Sequence, residues 1–389
     1  LQQCRFRNPQ AAKFSMLNLQ TLKTPCLILD SERVRHNAER VSQIALNNNV
    51  RLRPHIKTHK CVEVARIATA KHTGAVTTST LAEVWAFSKR GFSNFTYAVP
   101  IEPGKFAEAI EIVRSGIKLY LITDDVEIPA TLNDPARAAG VILNVFLKVD
   151  CGYHRCGVEP NTKEALEIPK QIADASNLNF AGILTHAGHS YHAHSKEEIA
   201  EIARKERDVM VELAEKLRGL GIEVPVVSIG STPTIHHIDH LKGVTEVRPG
   251  NYIFFDAFQA TLGSCSFEDC ALTVMAAVTH RDRERRKIIV DAGAIALSKD
   301  RGPVEFDSTC GYGRVLDLAG NDLWLRVESL SQEHGSFYVP DNKTFDKLIV
   351  GTRVRILANH SCLAAAQHTH FNVLENEKIV DKWEIHRGW

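Results

Sequence analysis

Leu52-Arg53-Pro54-His55-Ile56-Lys57-Thr58-His59-Lys60 is the stretch on which the reading of this chain turns. Val50-Arg51-Leu52 opens it like a strand, Pro54 interrupts it, and a helical pattern follows. Lys57 therefore stands where a strand gives way to a helix. Alternation from Leu52 sends Ile56 to one side and Lys57 to the other. A lysine at a strand end, beside histidines and the second cation Lys60, has the surroundings of an imine-forming amine. Desolvation and neighbouring positive charge both lower a lysine pKa, and the unprotonated amine is the nucleophile. Alone, the stretch also reads as a solvated cationic turn, and the rest of the chain has to decide.

Outward from it, between residues 50 and 250, a β-rich run followed by an amphipathic helix recurs. The strand candidates are 50–57, 75–79, 95–99, 117–123, 141–150, 180–186, 224–229 and 244–248. The helices are clearest over 31–47, with Val34, Ala38, Val41 and Ala45 on one face, and over 196–218. There Ser195 and Glu198 form a capping box and Gly219 a stop. Eight such units predict a parallel (β/α)8 TIM-like barrel over 31–255. The glycine-rich first turn of an open doubly wound sheet is missing. After Tyr252 the runs 271–279, 287–290, 323–330, 354–357 and 371–374 are separated by turns without convincing helices. The fold class is thus α/β: an N-terminal barrel and a mostly β domain over 256–389, the latter joined by an early strand within 16–30.

Composition narrows the function. The 389 residues are 44% hydrophobic with a formal net charge of +1, so no global field favours nucleic acid. The basic run Arg281–Lys287 contains two acids and reads as a solvated hairpin. No apolar run approaches the ~18 residues needed to span a membrane. Nine scattered cysteines form no secreted disulfide framework. Cys151/Cys156 and Cys265/Cys270 have pairing distance in sequence, but reduced thiols in a cytoplasmic protein are expected. Residues 1–15, with Arg5, Arg7 and Lys13 and no acid, faintly resemble a transit peptide; Met16 offers an alternative start, and the segment is discounted.

Barrels do chemistry at the C-terminal ends of their strands, and the unusual polar clusters all fall there. Lys57 ends the first strand, Asp150 the fifth and His186 the sixth. Gly230-Ser231-Thr232-Pro233-Thr234 ends the seventh and Arg248-Pro249-Gly250-Asn251-Tyr252 the eighth. Small glycine loops after strands seven and eight commonly hold a phosphate, with backbone N–H groups and the Ser231 or Thr232 hydroxyl as donors. A phosphate-bearing aldehyde held there and condensed with a lysine opposite is pyridoxal 5'-phosphate. The four histidines of 186–194 read as a metal loop or, as favoured here, as a loop with one or two cofactor contacts and Tyr191 packed on a ligand. His360 and Cys362 lie two residues apart on what reads as an extended segment, so they project to one side. Imidazole plus thiolate suits Zn2+, and two ligands leave positions open for substrate. His368 or His370 could instead close the site.

Together these residues resemble the fold-type III pyridoxal phosphate enzymes, the alanine racemase group, and within it the D-serine dehydratase / D-threonine aldolase family. The resemblance runs from Thr24 to Trp389. It rests on Pro54–Lys60, Gly188-His189-Ser190-Tyr191, 230–234, 248–252 and His360-Ser361-Cys362. It implies Lys57 as the imine lysine, and Tyr191, Thr232, Gly250 and Asn251 as cofactor contacts. Arg248 would face the pyridine nitrogen, and Arg155 the cofactor oxygen and substrate carboxylate. His360 and Cys362 would be the metal pair, and the assembly a homodimer. Cys362 resembles the zinc dehydratases; the aldolases are similar with an aspartate there and a harder ion such as Mn2+. Leu184 stands where the eukaryotic D-serine dehydratases have a tyrosine, and Arg248 is racemase- and aldolase-like. D-threo-3-hydroxyaspartate therefore joins D-serine as an expected substrate.

The expected activity is that of a lyase: Lys57 takes the Cα proton of a 3-hydroxy D-amino acid, and the metal draws off the 3-hydroxyl. Keto acid and ammonia result. The alternatives are a D-threonine aldolase, a racemase, for which no second base is found, and a non-catalytic pyridoxal phosphate carrier.

Overall fold

The computed structural model describes residues 18–389; the basic segment 1–15 lies outside them. Strand β1 (Cys26–Asp30) is followed by eight short parallel strands. These are β2 (Arg51–Leu52), β3 (Val76–Thr78), β4 (Asn94–Pro100), β5 (Lys118–Thr123), β6 (Leu143–Lys148), β7 (Leu178–Leu184), β8 (Val227–Ile229) and β9 (Glu246–Val247). Each pairs with its neighbour in sequence, β9 returns to β2, and a parallel bridge between His55 and Thr77 joins the β2 end to β3. All eight expected strands are present. The first is shorter than expected because Pro54 has no N–H and the chain tightens into a 3-10 turn over Ile56–Thr58. Backbone pairing still continues through Arg53 N to Val247 O (2.9 Å) and His55 N to Pro249 O (3.0 Å).

Alternation splits the barrel strands. Leu121, Val145, Leu147 and Ile183 pack outward with helix residues such as Leu132 and Ile168. Ile122, Phe146 and Leu184 form a separate inner cluster. The helix Ser31–Asn47 starts where the pattern predicts, with Asp30 Oδ1 accepting from Glu32 N and Arg33 N. The helix Lys196–Gly219 has half of the expected capping box. Ser195 Oγ accepts from Glu198 N (3.1 Å), but the Glu198 carboxylate reaches back to His194 N (2.7 Å) instead of Ser195.

The second sheet holds β10 (Leu272–Asp282), β11 (Lys287–Val290), β12 (Gly313–Leu316), β13 (Asp322–Arg326), β14 (Ser329–Leu330), β15 (Gly335–Tyr338), β16 (Arg353–Ala358), β17 (His370–Glu375) and β18 (Lys378–Glu384). Its main path runs β13-β12-β16-β10-β1-β17-β18, with β11, β15 and β14 branching from β10. β1 lies at its centre, antiparallel to β10 and parallel to β17. Leu27, Ile28 and Leu29 are fully buried there, worth ~1.5–3 kcal/mol each relative to exposure. Short helices that the sequence did not show, including Ala294–Leu297, Asn342–Lys347 and Ser361–Ala366, interrupt the strands. Among the described residues no helix is long and apolar enough to cross a membrane.

Candidate active site

A cavity of about 430 Å³ opens at the C-terminal ends of the barrel strands, against the second sheet. Lys57, Arg155, Tyr191, Ser231, Thr232, Arg248, Gly250, Asn251, His360 and Cys362 all line it. The turn Ile56–Thr58 buries Ile56 in the core and puts Lys57 into the cavity, with His55 Nδ1 accepting from Lys57 N. Surrounding protein holds the Lys57 amine below the usual lysine value. Arg155 and Arg248 push it the same way, while Cys362 and Glu83 oppose them. Lys60 is committed elsewhere, in an ion pair with buried Glu83. The flanking imidazoles of His55 and His186 are kept neutral by burial and by Lys57.

One wall is built for close approach of backbone. Gly230 has φ +111°, and a Cβ there would lie 3.3 Å from Arg248 N. A Cβ on Gly250 would lie 3.0 Å from both Cβ and O of His55. Beneath this wall Glu206 ties two loops together: Oε1 accepts from Ala187 N (3.0 Å) and Gly230 N (3.1 Å), and Oε2 from Thr234 Oγ1 (3.0 Å). Of the expected side-chain donors, Ser231 and Asn251 are otherwise engaged, whereas Thr232 only accepts. Ser231 Oγ caps the helix Thr232–His237 and lies 3.0 Å from both Ser190 Oγ and Thr234 Oγ1. Thr232 Oγ1 accepts from Tyr252 N (3.1 Å). Asn251 turns its amide to the opposite side, donating to Asp256 Oδ2 (2.7 Å) and Ser361 Oγ (3.1 Å). In the loop after β8 the N–H groups of Gly230 and Ser231 are also engaged, by Glu206 Oε1 and by Thr234 Oγ1 (2.9 Å). The N–H groups of Gly250 and Asn251, more than the Ser231 and Asn251 side chains, are thus placed to meet a phosphate.

Arg248 sits deeper. Its Nε donates to Ser228 Oγ (2.7 Å) and its guanidinium to Thr185 O. Burial draws it down to about 10, against Glu246 and Glu206, so it remains a cation. Below it Glu246 pairs with Arg53 at 2.8 Å. Arg155 lies over the Tyr153 ring at the mouth, 5.1 Å from its centroid.

The opposite wall carries His360 and Cys362, but not side by side on a strand. β16 ends at Ala358, His360 is the extended residue capping the helix Ser361–Ala366, and Cys362 lies in its first turn. The two side chains meet across that helix start. Asp300 Oδ2 lies 2.7 Å from His360 Nδ1, which leaves Nε2 for another partner. Burial opposes charge on both groups. Even so, the Cys362 thiolate and Asp300 hold His360 well above its usual value, and His360 and Lys57 bring Cys362 below the usual thiol value. An imidazole oriented by a carboxylate, beside a readily ionised thiol, is a donor set that fits a divalent ion. Neither His368, whose Nε2 lies 3.1 Å from Ala296 O, nor His370 lines the cavity. Among the described residues no group of three or more His, Cys, Asp or Glu side chains could hold a metal. The histidines of 186–194 do not converge on one, although His186 and His192 line the cavity.

Comparison with known proteins gives the family. The alanine racemase N-terminal domain model matches residues 29–257, and a serine dehydratase domain model matches 271–374. D-threo-3-hydroxyaspartate dehydratase of Delftia sp. is 37% identical over 377 residues, covering 95% of this chain and 99% of that protein. The chain belongs to the D-serine dehydratase / D-threonine aldolase family. Family members include the D-serine dehydratase of Dictyostelium discoideum, 33% identical over 96% of this chain and 98% of that one. The D-threonine aldolase of Arthrobacter sp. is more distant, 27% identical over 94% of this chain and 93% of that one. The solved Delftia enzyme superposes with a TM-score of 0.93, covering 96% of this chain and all of the other. The pyridoxal phosphate chemistry of the alanine racemase fold has its elements here: an amine in the cavity, a glycine wall and a buried cation.

Three cavity residues of this family member, and one buried behind its wall, escaped the sequence reading. Lys148, one alternation beyond Phe146 on the inner face of β6, is buried and donates to Val149 O (3.1 Å). It lies inside the run 141–150, whose polar end was read at Asp150, and drew no reading of its own. Asp256 and Asp300 lie in segments with no motif, and Glu206 is a carboxylate set into the apolar face of its helix, between Ala203 and Met210, a break in the pattern that was the available signal.

Proposed function

We propose that this chain is a pyridoxal phosphate- and zinc-dependent dehydratase of 3-hydroxy D-amino acids. D-Serine would be converted to pyruvate and ammonia, and D-threo-3-hydroxyaspartate accepted in the same site. The observation that carries this reading is the placement of His360 and Cys362 in the same cavity as Lys57. When bound, the cofactor supplies an electron sink for a Cα carbanion and the ion a Lewis acid for the 3-hydroxyl. Lys57, with its amine eased towards the neutral form, takes the Cα proton. Arg155 at the mouth orients the substrate carboxylate. Thr232, Gly250 and Asn251 would hold the phosphate, the Tyr191 ring and Arg248 would fix the cofactor ring, and Asp300, at Nδ1 of His360, would leave Nε2 for the ion. In this division the barrel over 31–255 holds the cofactor, and 256–389, with the strand in 16–30, brings the metal pair.

A cysteine at 362 favours dehydration, because a thiolate suits zinc whereas a carboxylate suits harder ions. Reduced cysteines support a cytoplasmic location; every described cysteine is free. Exposed Trp324 and Tyr338, on the same surface as Arg301 next to Asp300, support a homodimer. The purified protein should be incubated with D-serine, D-threonine and D-threo-3-hydroxyaspartate, and ammonia, keto acid and glycine measured. Ammonia with keto acid in equal amounts is expected. Glycine without ammonia would assign aldol cleavage instead.

A further inference from the structure

Asp256 does more than cap the short helix behind it. Its Oδ1 accepts from Gln259 N (2.9 Å). Its Oδ2 collects three donors: Asn251 Nδ2 at 2.7 Å, Ser361 N at 3.0 Å and Ser361 Oγ at 3.2 Å. The same Asn251 Nδ2 lies 3.5 Å from Cys362 Sγ, and Cys362 Sγ lies 3.3 Å from Thr58 Oγ1. Asn251 and Asp256 follow the last barrel strand, whereas Ser361 and Cys362 follow β16 of the other sheet. Thr58 is the neighbour of Lys57. Asp256, Asn251, Ser361 and Thr58 are all buried, and Asn251 Oδ1 has no hydrogen-bond partner among the described residues. One carboxylate oxygen thus gathers donors from both sides of the seam, one residue from a candidate metal ligand.

We propose, resting on the reading of the site given above, that Asp256 is the positioning residue that sets the His360–Cys362 pair against Lys57. It acts through Ser361 and Asn251, and thereby governs how tightly the pair holds its divalent ion. The arrangement demands a carboxylate. An amide in its place either points its NH2 at the donors from Ser361 and Asn251, or turns round and points it at Gln259 N. Each choice sets donor against donor. Asp256→Asn keeps the volume and removes this match, and Ser361→Ala removes one contact while leaving the backbone donor.

The test uses the protein carrying its cofactor, stripped of metal and titrated with zinc against a chromophoric chelator. Asp256→Asn should bind zinc ten- to a hundredfold more weakly, the loss common when a group behind a metal ligand is changed. Ser361→Ala should lose several-fold. In both, kcat for D-serine should fall at saturating substrate with KM little changed, while the imine absorbance band and thermal midpoint stay near wild type. Wild-type zinc affinity in both variants would overturn the proposal alone. So would losses seen only together with a missing imine band and a lowered midpoint, which would make Asp256 a folding residue. Wild-type protein that binds no zinc would overturn the dehydratase reading and this proposal together.

Discussion

At the scale of single residues, the cavity separates lysines that look alike in sequence. Lys60 is neutralised by Glu83 and Lys148 is held by a backbone carbonyl, which supports the proposal that Lys57 is the amine that condenses. Borohydride reduction of the holo-protein should fix the cofactor on the peptide carrying Lys57; label on Lys148 or Lys60 would refute this. Lys57→Ala should cost on the order of 10²–10⁴-fold in turnover, the range for a lost general base, with cofactor still retained by the glycine wall. His59 carries a different prediction. It is buried, accepts from Cys61 N, and is drawn down to about 3, chiefly by burial. A depressed imidazole is neutral in the folded chain while the unfolded chain takes up a proton below about pH 6.5. Stability should therefore fall with falling pH by ~1.4 kcal/mol per unit from this residue. His59→Asn, which keeps an acceptor for Cys61 N, should be flatter than wild type in denaturant-melt stability between pH 6.5 and 5. An unchanged slope would mean that other groups dominate the window.

At the scale of elements, the loop after β9 and the turn after β2 meet with almost no clearance at Gly250. Gly250→Val must push the loop away from His55 and Thr58, an overpacking cost of ~1–3 kcal/mol. Cofactor affinity, read by absorbance titration, should drop at least tenfold; affinity equal to wild type would place the phosphate elsewhere. This close approach was legible as a glycine in a loop, and so was the barrel, because each strand end carries a distinctive polar cluster. What could not be read was how loops bend. His-x-Cys looked like strand alternation because nothing in Ala358-Asn359 announces that the strand stops and a helix begins. Ser231 and Asn251 looked like free donors because two of their partners, Ser190 and Ser361, come from distant segments, and the nearer two, Thr234 and Asp256, meet them only once the chain has turned into a short helix. Side-chain chemistry is local in sequence, but hydrogen-bond commitment is set by the tertiary fold.

At the scale of the whole molecule, the proposed metal pair follows a strand of one sheet and Lys57 a strand of the other, so removing the ion should cost chemistry and not architecture. Neither His360 nor Cys362 holds β16 in place; that strand is fixed by its ladders to β10 and β12. Exhaustive chelation should abolish ammonia release from D-serine while leaving the imine band and the melting midpoint unchanged. Zinc should restore the activity, and His360→Ala should mimic chelation. Full activity in metal-free enzyme would shift the whole elimination onto Lys57.

The central position of β1 also has a bearing on how the polypeptide is made. Its partners on either edge, Leu272–Met275 and Phe371–Leu374, leave the ribosome only after about 240 and about 340 further residues. At ~5–20 residues per second the run Cys26-Leu27-Ile28-Leu29 waits tens of seconds with both edges bare. The barrel can close behind it meanwhile. For that interval the nascent chain carries an apolar ribbon ready to pair with any neighbour, and truncation before residue 272 would make the exposure permanent.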